Sequence, residues 1–76
     1  MQPDEVRNLR GKETGGAFGK RVRAAVAEVL GIPEAVVPSV SHTQVSRWET
    51  RGLDPTTGKI STLVYLVALG RLRAGR

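Results

Sequence analysis

The chain has 76 residues, a formal net charge of +5 at pH 7, one histidine and no cysteine. This length allows one small domain, residues 1–76, and the composition excludes disulfides, thiolate zinc sites and a multi-histidine metal site within one chain. No apolar run approaches the roughly 20 residues that span a bilayer, and the N-terminus lacks the basic and apolar regions of a secretion signal, so we expect a cytoplasmic protein without a cofactor.

Positive charge is concentrated in the second half of the sequence. Residues 1–40 contain six Lys or Arg against five Asp or Glu, whereas residues 41–76 contain six against two. A basic balance of this kind favours a polyanionic partner and fast, salt-sensitive association. The alternative is that the arginines only keep a small protein soluble.

A short helix is predicted at the start of the chain. Pro3, Asp4 and Glu5 suit a helix N-terminus, because proline fits the first turn and acidic groups oppose the partial positive charge there. This helix is predicted to end near Gly11–Glu13, and Gly15-Gly16 is predicted to break the chain after it.

A second helix is predicted over residues 17–30. Apolar side chains recur there at spacings of three and four and form one stripe: Phe18, Val22, Ala25, Val26, Val29 and Leu30. Gly31 is a natural stop at the C-terminal end. In the next segment Pro33 and Glu34 can open a helix, but Pro38 disfavours helical geometry at Val37, so only about one turn is predicted.

The next helix is predicted over residues 41–51. Ser41 is a good N-cap, and Val45 and Trp48 share one side of the helix, which we predict to be buried. The opposite side carries short hydrogen-bonding groups: His42, Thr43, Ser46 and Arg47, with Thr50 one turn further. Such a face suits the reading of base edges in a DNA groove.

The remaining residues are predicted to form a loop, an apolar element and a basic tail. Gly52–Gly58 is dense in turn-forming residues. Residues 60–69 fit a buried helix through Ile60, Leu63, Val64 and Val67, but their β-branched content also fits a strand. Residues 71–76 are basic and are predicted to fray.

One stretch resembles a known family. Val45-Ser46-Arg47-Trp48-Glu49, followed by Gly52 and Pro55, is similar to the recognition-helix segment of Cro-type (XRE, lambda-repressor-like) helix-turn-helix proteins, and the match covers about a quarter of the chain. The resemblance implies an all-α, lambda-repressor-like domain of four to five short helices. It also implies helix over residues 60–69, and a phage-type or bacterial transcriptional regulator with residues 41–51 as recognition helix.

Two sets of DNA contacts follow for that helix. The residues expected to read bases are His42, Thr43, Ser46 and Arg47. The residues expected to contact phosphates are Ser41, Gln44, Thr50 and Arg51. The alternative for Arg47 is a solvated side chain or an ion pair with Glu49 or Asp54, and for His42 a plain exposed histidine. Trp48 is expected to anchor the core rather than to stack on bases.

Two segments are candidates for the first helix of the motif. Counting back from Val45 and Trp48 places it within residues 33–38, the register that the spacing favours. The second register uses Val26–Ile32, a closer match in residue type, and treats Pro33–Ser39 as an insertion.

We therefore expect a Cro-like repressor that acts by occupying double-stranded DNA in the bacterial cytoplasm, associated with the nucleoid when bound. Leu63–Leu69 is a candidate homodimer surface, with Tyr65 and Leu66 outward, or a segment that only closes the monomer core. The alternative function is a protein-binding module, antitoxin-like or a phage-encoded inhibitor, on the same scaffold. Catalysis is not expected, since Glu49 has no catalytic partner nearby. Metal binding, a small-molecule ligand and membrane association are not expected either.

Overall fold

Helices form the fold. The structure is a computed structural model that describes residues 1–53 and 60–75. Within these ranges lie four α-helices and one turn of 3₁₀ helix, and no strand: α1 (Pro3–Arg10), α2 (Gly15–Leu30), the 3₁₀ turn (Glu34–Val36), α3 (His42–Arg51) and α4 (Ile60–Ala74). The prediction of an all-α domain is confirmed. Most of the predicted loop Gly52–Gly58, including Asp54 and Pro55, lies outside the described residues.

The start of α2 differs from the prediction. The Thr14 hydroxyl accepts a hydrogen bond from the Ala17 N–H at 3.1 Å, which caps the helix and places Gly15 and Gly16 in its first turn. The predicted break at Gly15-Gly16 is therefore wrong. The predicted end is confirmed, because Gly31 takes a left-handed conformation with φ 66° and closes the helix.

The core lies between α2 and the three other helices. Phe18, Val22, Ala25 and Val26 are buried on α2, as the apolar stripe predicts, and α1 contributes Val6 and Leu9. Leu30 is the exception, since 48% of it is exposed at the end of the helix. The helix α3 packs on both α1 and α2, and α4 packs mainly on α2.

The segment between α2 and α3 runs back along α2. The Arg23 guanidinium donates to the carbonyls of Val37 at 2.8 Å and Ala35 at 3.4 Å. One turn nearer the start of α2, a Cβ on Gly19 would lie closer than 3.0 Å to the carbonyl oxygen of Val40. The segment therefore lies directly on the α2 backbone and is antiparallel to it.

The path of residues 31–41 contradicts one of the two candidate positions for the first helix of the motif. The segment 33–38 holds a single 3₁₀ turn, because Pro38 ends helical geometry there, so the favoured register is wrong. The helix of the second register is present as the end of α2. It is separated from α3 by residues 31–41 rather than by a tight turn.

Residues 60–74 form a helix rather than a strand, and it continues beyond the predicted apolar element. The Arg73 guanidinium lies 3.1 Å from the Glu5 carboxylate on α1, and Arg71 lies 4.0 Å from Glu28 on α2. The predicted fraying of the basic tail is therefore wrong for residues 71–74.

The buried face of α4 differs from the predicted one. Ala68 and Leu69 are fully buried, which turns Leu63 and Val67 toward solvent with 49% and 53% exposure. The prediction that Leu63 and Val67 are buried is wrong. The predicted outward position of Tyr65 and Leu66 is also wrong, since both are partly buried and pack against the core.

Candidate nucleic-acid interface

Local interactions fix both ends of α3. The Ser41 hydroxyl accepts from the Gln44 N–H at 3.2 Å and the Ser41 carbonyl accepts from the Val45 N–H at 3.1 Å, so the predicted N-cap is confirmed. At the other end Gly52 has φ 72° and its N–H donates to the Trp48 carbonyl at 2.8 Å. The Leu53 N–H then donates to the Met1 carbonyl at 2.8 Å, which ties the end of α3 to the start of the chain.

The inner side of α3 is held by two side chains. Val45 is 1% exposed and Trp48 is buried, as predicted. The Trp48 ring contacts Tyr65 of α4 in a tilted arrangement with centroids 5.0 Å apart, a geometry that aromatic pairs prefer. Trp48 is therefore a core anchor, and the rotation of α3 about its own axis is set from inside.

The four predicted base-reading residues are brought together on the outer side of α3. They are all exposed: His42, Thr43, Ser46 and Arg47. With Thr50 and Arg51 they line one shallow depression of about 370 Å³. Among the described residues, none of the side chains of His42, Thr43, Ser46 and Arg47 forms an ion pair or a hydrogen bond with another side chain. These groups are thus free to bind an external partner.

The predicted phosphate-contacting residues differ in exposure and in hydrogen bonding. Arg51 is exposed at the end of α3, whereas Gln44 is partly buried. The Thr50 hydroxyl donates to the Ser46 carbonyl at 2.9 Å, so its proton is engaged within the helix. Ser41 is exposed, and its hydroxyl oxygen accepts in the cap.

Most carboxylates of the described residues pair with arginines away from this outer side. Five carboxylates have arginine partners: Asp4 with Arg7, Glu5 with Arg73, Glu13 with Arg21, Glu28 with Arg71, and Glu49 with Arg10. Glu49 is the only acid on α3, and its pair with Arg10 joins α3 to α1. Arg47 therefore has no ion pair with Glu49. The charge of α3 that faces solvent comes from Arg47 and Arg51.

Two exposed lysines near the start of α2 are further basic groups that the sequence did not single out. A Cβ on Gly15 would lie 2.9 Å from the His42 Cβ, so the N-terminal ends of α2 and α3 are in contact. Lys12 lies in the turn before α2 and Lys20 one turn after Gly16, both exposed and without an acidic partner among the described residues. The position of these lysines relative to α3 follows only from the packing of α2 on residues 40–42.

The part of the chain that the structure describes has neither a metal-binding cluster nor a membrane-spanning helix. Residues 1–53 and 60–75 contain no group of three or more His, Cys, Asp or Glu that could hold a metal ion. Within the same ranges, no helix has the length and apolar character to cross a membrane.

These features define a small all-α domain that presents one polar helix face, whose arginines have no ion-pair partner within residues 1–53 and 60–75. No family model matches the chain, and neither a curated protein nor a solved structure matches it.

Proposed function

We propose that the protein binds double-stranded DNA sequence-specifically through the outer side of α3 and regulates transcription from the site it occupies. The observation that supports this most directly is the division of α3 into two sides. Val45 and Trp48 fix the helix from inside, while His42, Thr43, Ser46 and Arg47 face solvent without partners among the described residues. Side chains on a rigid helix are oriented before binding, which suits base recognition.

The dimensions and chemistry of α3 support major-groove binding. Its ten residues span about 15 Å, and the major groove is about 12 Å wide and admits an α-helix. The four residues lie within the first six residues of α3, toward the N-terminal end that helix-turn-helix proteins direct at bases. Arg47 can donate two hydrogen bonds to guanine, and Thr43 and Ser46 can donate to or accept from a base.

The cationic side chains that flank the outer side of α3 would bind the DNA phosphates. Arg51 lies on α3, Lys12 lies in the turn before α2, and Lys20 lies in the second turn of α2, whose first residue, Gly15, packs on His42. Neutralising three phosphates gives a log–log salt slope of about −2.7, which lowers the affinity roughly 40-fold between about 50 and about 200 mM salt. Ser41 and Gln44 lie at the N-terminal end of α3, where a helix favours a phosphate.

Occupation of a DNA site by the protein is sufficient to regulate transcription in this mechanism. A domain of this kind that covers a promoter blocks polymerase, so we propose a Cro-like repressor that acts in the cytoplasm of a bacterial cell, as the similarity of residues 45–55 implies. Nothing more than binding is required of the chain in this mechanism.

Selection of bound duplexes from a random pool, followed by a salt titration of the selected and of random duplexes, tests the proposal. We expect one enriched sequence, tighter binding to it than to random duplex, and a steep salt dependence for both. No binding to any duplex at low salt would refute DNA binding and favour the protein-binding module.

A further inference from the structure

An apolar groove lies between the end of α2, the segment after it and α4. It has a volume of about 160 Å³. Six of the residues that line it come from three separate parts of the chain: Val26 and Leu30 from α2, Ile32 and Val37 from the segment after it, and Val64 and Tyr65 from α4. A small-molecule ligand is not expected from the sequence, because only the tertiary packing brings these residues together.

The groove has the size of one small ring. A dry apolar cavity of about 150 Å³ binds benzene. Leu30 and Ile32 are 48% and 38% exposed, so the groove opens to solvent beside them and offers on the order of 150 Å² of apolar area there. A single aromatic side chain buries about 150 to 250 Å², whereas a standard protein interface buries about 800 Å² per partner. The groove by itself therefore fits a small molecule better than it fits a protein.

The lining favours an uncharged ligand. No charged side chain among the described residues lines the groove. A charged group that lost its water there would find no partner, which is costly. The Tyr65 hydroxyl is the only polar side-chain group of the described lining residues, and it has no hydrogen-bond partner within residues 1–53 and 60–75. It is thus available to a ligand that carries one hydroxyl group.

Tyr65 also favours an aromatic ligand and joins the groove to α3. Its ring contacts the Trp48 ring with centroids 5.0 Å apart and an angle of 55° between the two planes. Such ring pairs gain stability beyond the burial of area, so an aromatic ligand beside Tyr65 gains more than an aliphatic one. Because Trp48 anchors α3 from inside, a ligand in the groove lies one side chain away from the residue that holds this helix.

We propose that the groove binds a neutral aromatic molecule of a single ring with at most one hydroxyl group. The ring would pack against the aliphatic lining of α2 and α4 and beside Tyr65. Burial of about 200 Å² of ligand surface corresponds to a Kd on the order of 0.2 mM. The groove shares no described lining residue with the depression on the outer side of α3, and the proposal does not depend on DNA binding.

Titration of the full chain with benzyl alcohol, followed by proton–nitrogen correlation NMR at about 0.15 M salt, tests the proposal. Benzyl alcohol has one ring and one hydroxyl group. We expect saturable shifts of the Val64 and Tyr65 amides and of the Trp48 indole N–H, with a Kd on the order of 0.1 to 1 mM. Benzoate carries a carboxylate in place of the hydroxymethyl group and is expected to bind at least about tenfold more weakly. This comparison needs no substitution in the protein.

Leu30→Asp tests the position of the site. It removes part of the apolar lining and places a carboxylate there, so the affinity for benzyl alcohol is expected to fall at least about tenfold. Leu30 is nearly half exposed, and circular dichroism checks the fold of the variant. Val36→Asp is the matched control, since it adds the same charge at an exposed apolar position that does not line the groove, and it should leave the affinity unchanged.

Three results overturn the proposal. One is the lack of a saturable shift at up to about 10 mM benzyl alcohol, ten times the weakest expected Kd. Another is equal affinity for benzoate, or equal affinity of a folded Leu30→Asp variant, since the uncharged groove then does not account for binding. The third is an apparent affinity that falls as the protein concentration rises, because a second copy of the chain then covers the groove. Failure of DNA binding changes none of these measurements.

Discussion

Replacing Gly19 with alanine tests how α3 is positioned by α2. Gly19 is buried, and the added methyl group would lie closer than 3.0 Å to the carbonyl oxygen of Val40 and 3.3 Å from its carbonyl carbon. Restoring an ordinary contact between a methyl carbon and a carbonyl oxygen requires a shift of about 1 Å. The atom that must move belongs to the backbone just before the Ser41 cap, so the shift reaches the start of α3.

Two opposing effects set the size of the change. Alanine in place of glycine within a helix stabilises it by about 1 kcal/mol. Overpacking typically costs about 1 to 3 kcal/mol, and the upper part of that range applies because a buried backbone, rather than a flexible side chain, must move. We expect a net loss of about 1 to 2 kcal/mol, which lowers the Tm of a domain of this size by roughly 5 to 15 °C.

Gly16→Ala in the same helix is the matched control. No atom outside the helix lies within 4 Å of a Cβ at Gly16, so alanine should raise the free energy of unfolding by about 0.5 to 1 kcal/mol. Urea and thermal denaturation followed by circular dichroism measure both variants at one protein concentration. If Gly19→Ala is as stable as the natural sequence, with an unchanged m-value, residues 37–42 do not lie on α2 as described.

Three further experiments, with four substitutions, test the elements that hold α3. Trp48→Ala should cost about 3 to 5 kcal/mol, a large part of the roughly 4 to 11 kcal/mol expected for a chain of this length, and an unchanged urea midpoint would remove Trp48 from the core. Ser41→Ala should cost about 1 kcal/mol through loss of the cap, and equal stability in urea would show that the hydroxyl does not cap the helix. Glu49→Gln and Arg10→Gln should couple by about 1 kcal/mol in a double-mutant cycle, more than a typical exposed pair because the side chains are 18% and 30% exposed, and strictly additive losses would argue against the pair.

Local sequence signals predict α3 well. A hydroxyl residue in front of an apolar pair three residues apart is enough to predict the Ser41 cap, the buried side with Val45 and Trp48, and the exposed side with Arg47. In α2 the same apolar spacing predicts the buried stripe and Gly31 predicts the end. These features depend on neighbours within a turn or two, so they can be inferred from the sequence.

Long-range packing accounts for what the sequence does not predict. Residues 63–69 are all uncharged, so their pattern does not say which side of α4 faces α2, and the burial of Ala68 and Leu69 decides it. The beginning of α2 is similar, because two glycines suggest a break unless the Thr14 cap is recognised. The course of residues 35–42 along α2 depends on the hydrogen bonds of Arg23 and on the lack of a Cβ at Gly19. Both are contacts between residues that are far apart in the chain.

DNA binding by an Arg47→Ala variant tests the central proposal most directly. Arg71→Ala is the matched control, since it removes the same charge from α4, where the arginine is paired with Glu28. Fluorescence anisotropy with the selected duplex and with single-base variants of it gives both affinity and sequence preference. We expect Arg47→Ala to lose about 1 to 3 kcal/mol on the selected duplex and to discriminate less at one base pair, while Arg71→Ala keeps the preference of the natural sequence. Equal affinity and unchanged preference for Arg47→Ala would contradict base reading by the outer side of α3.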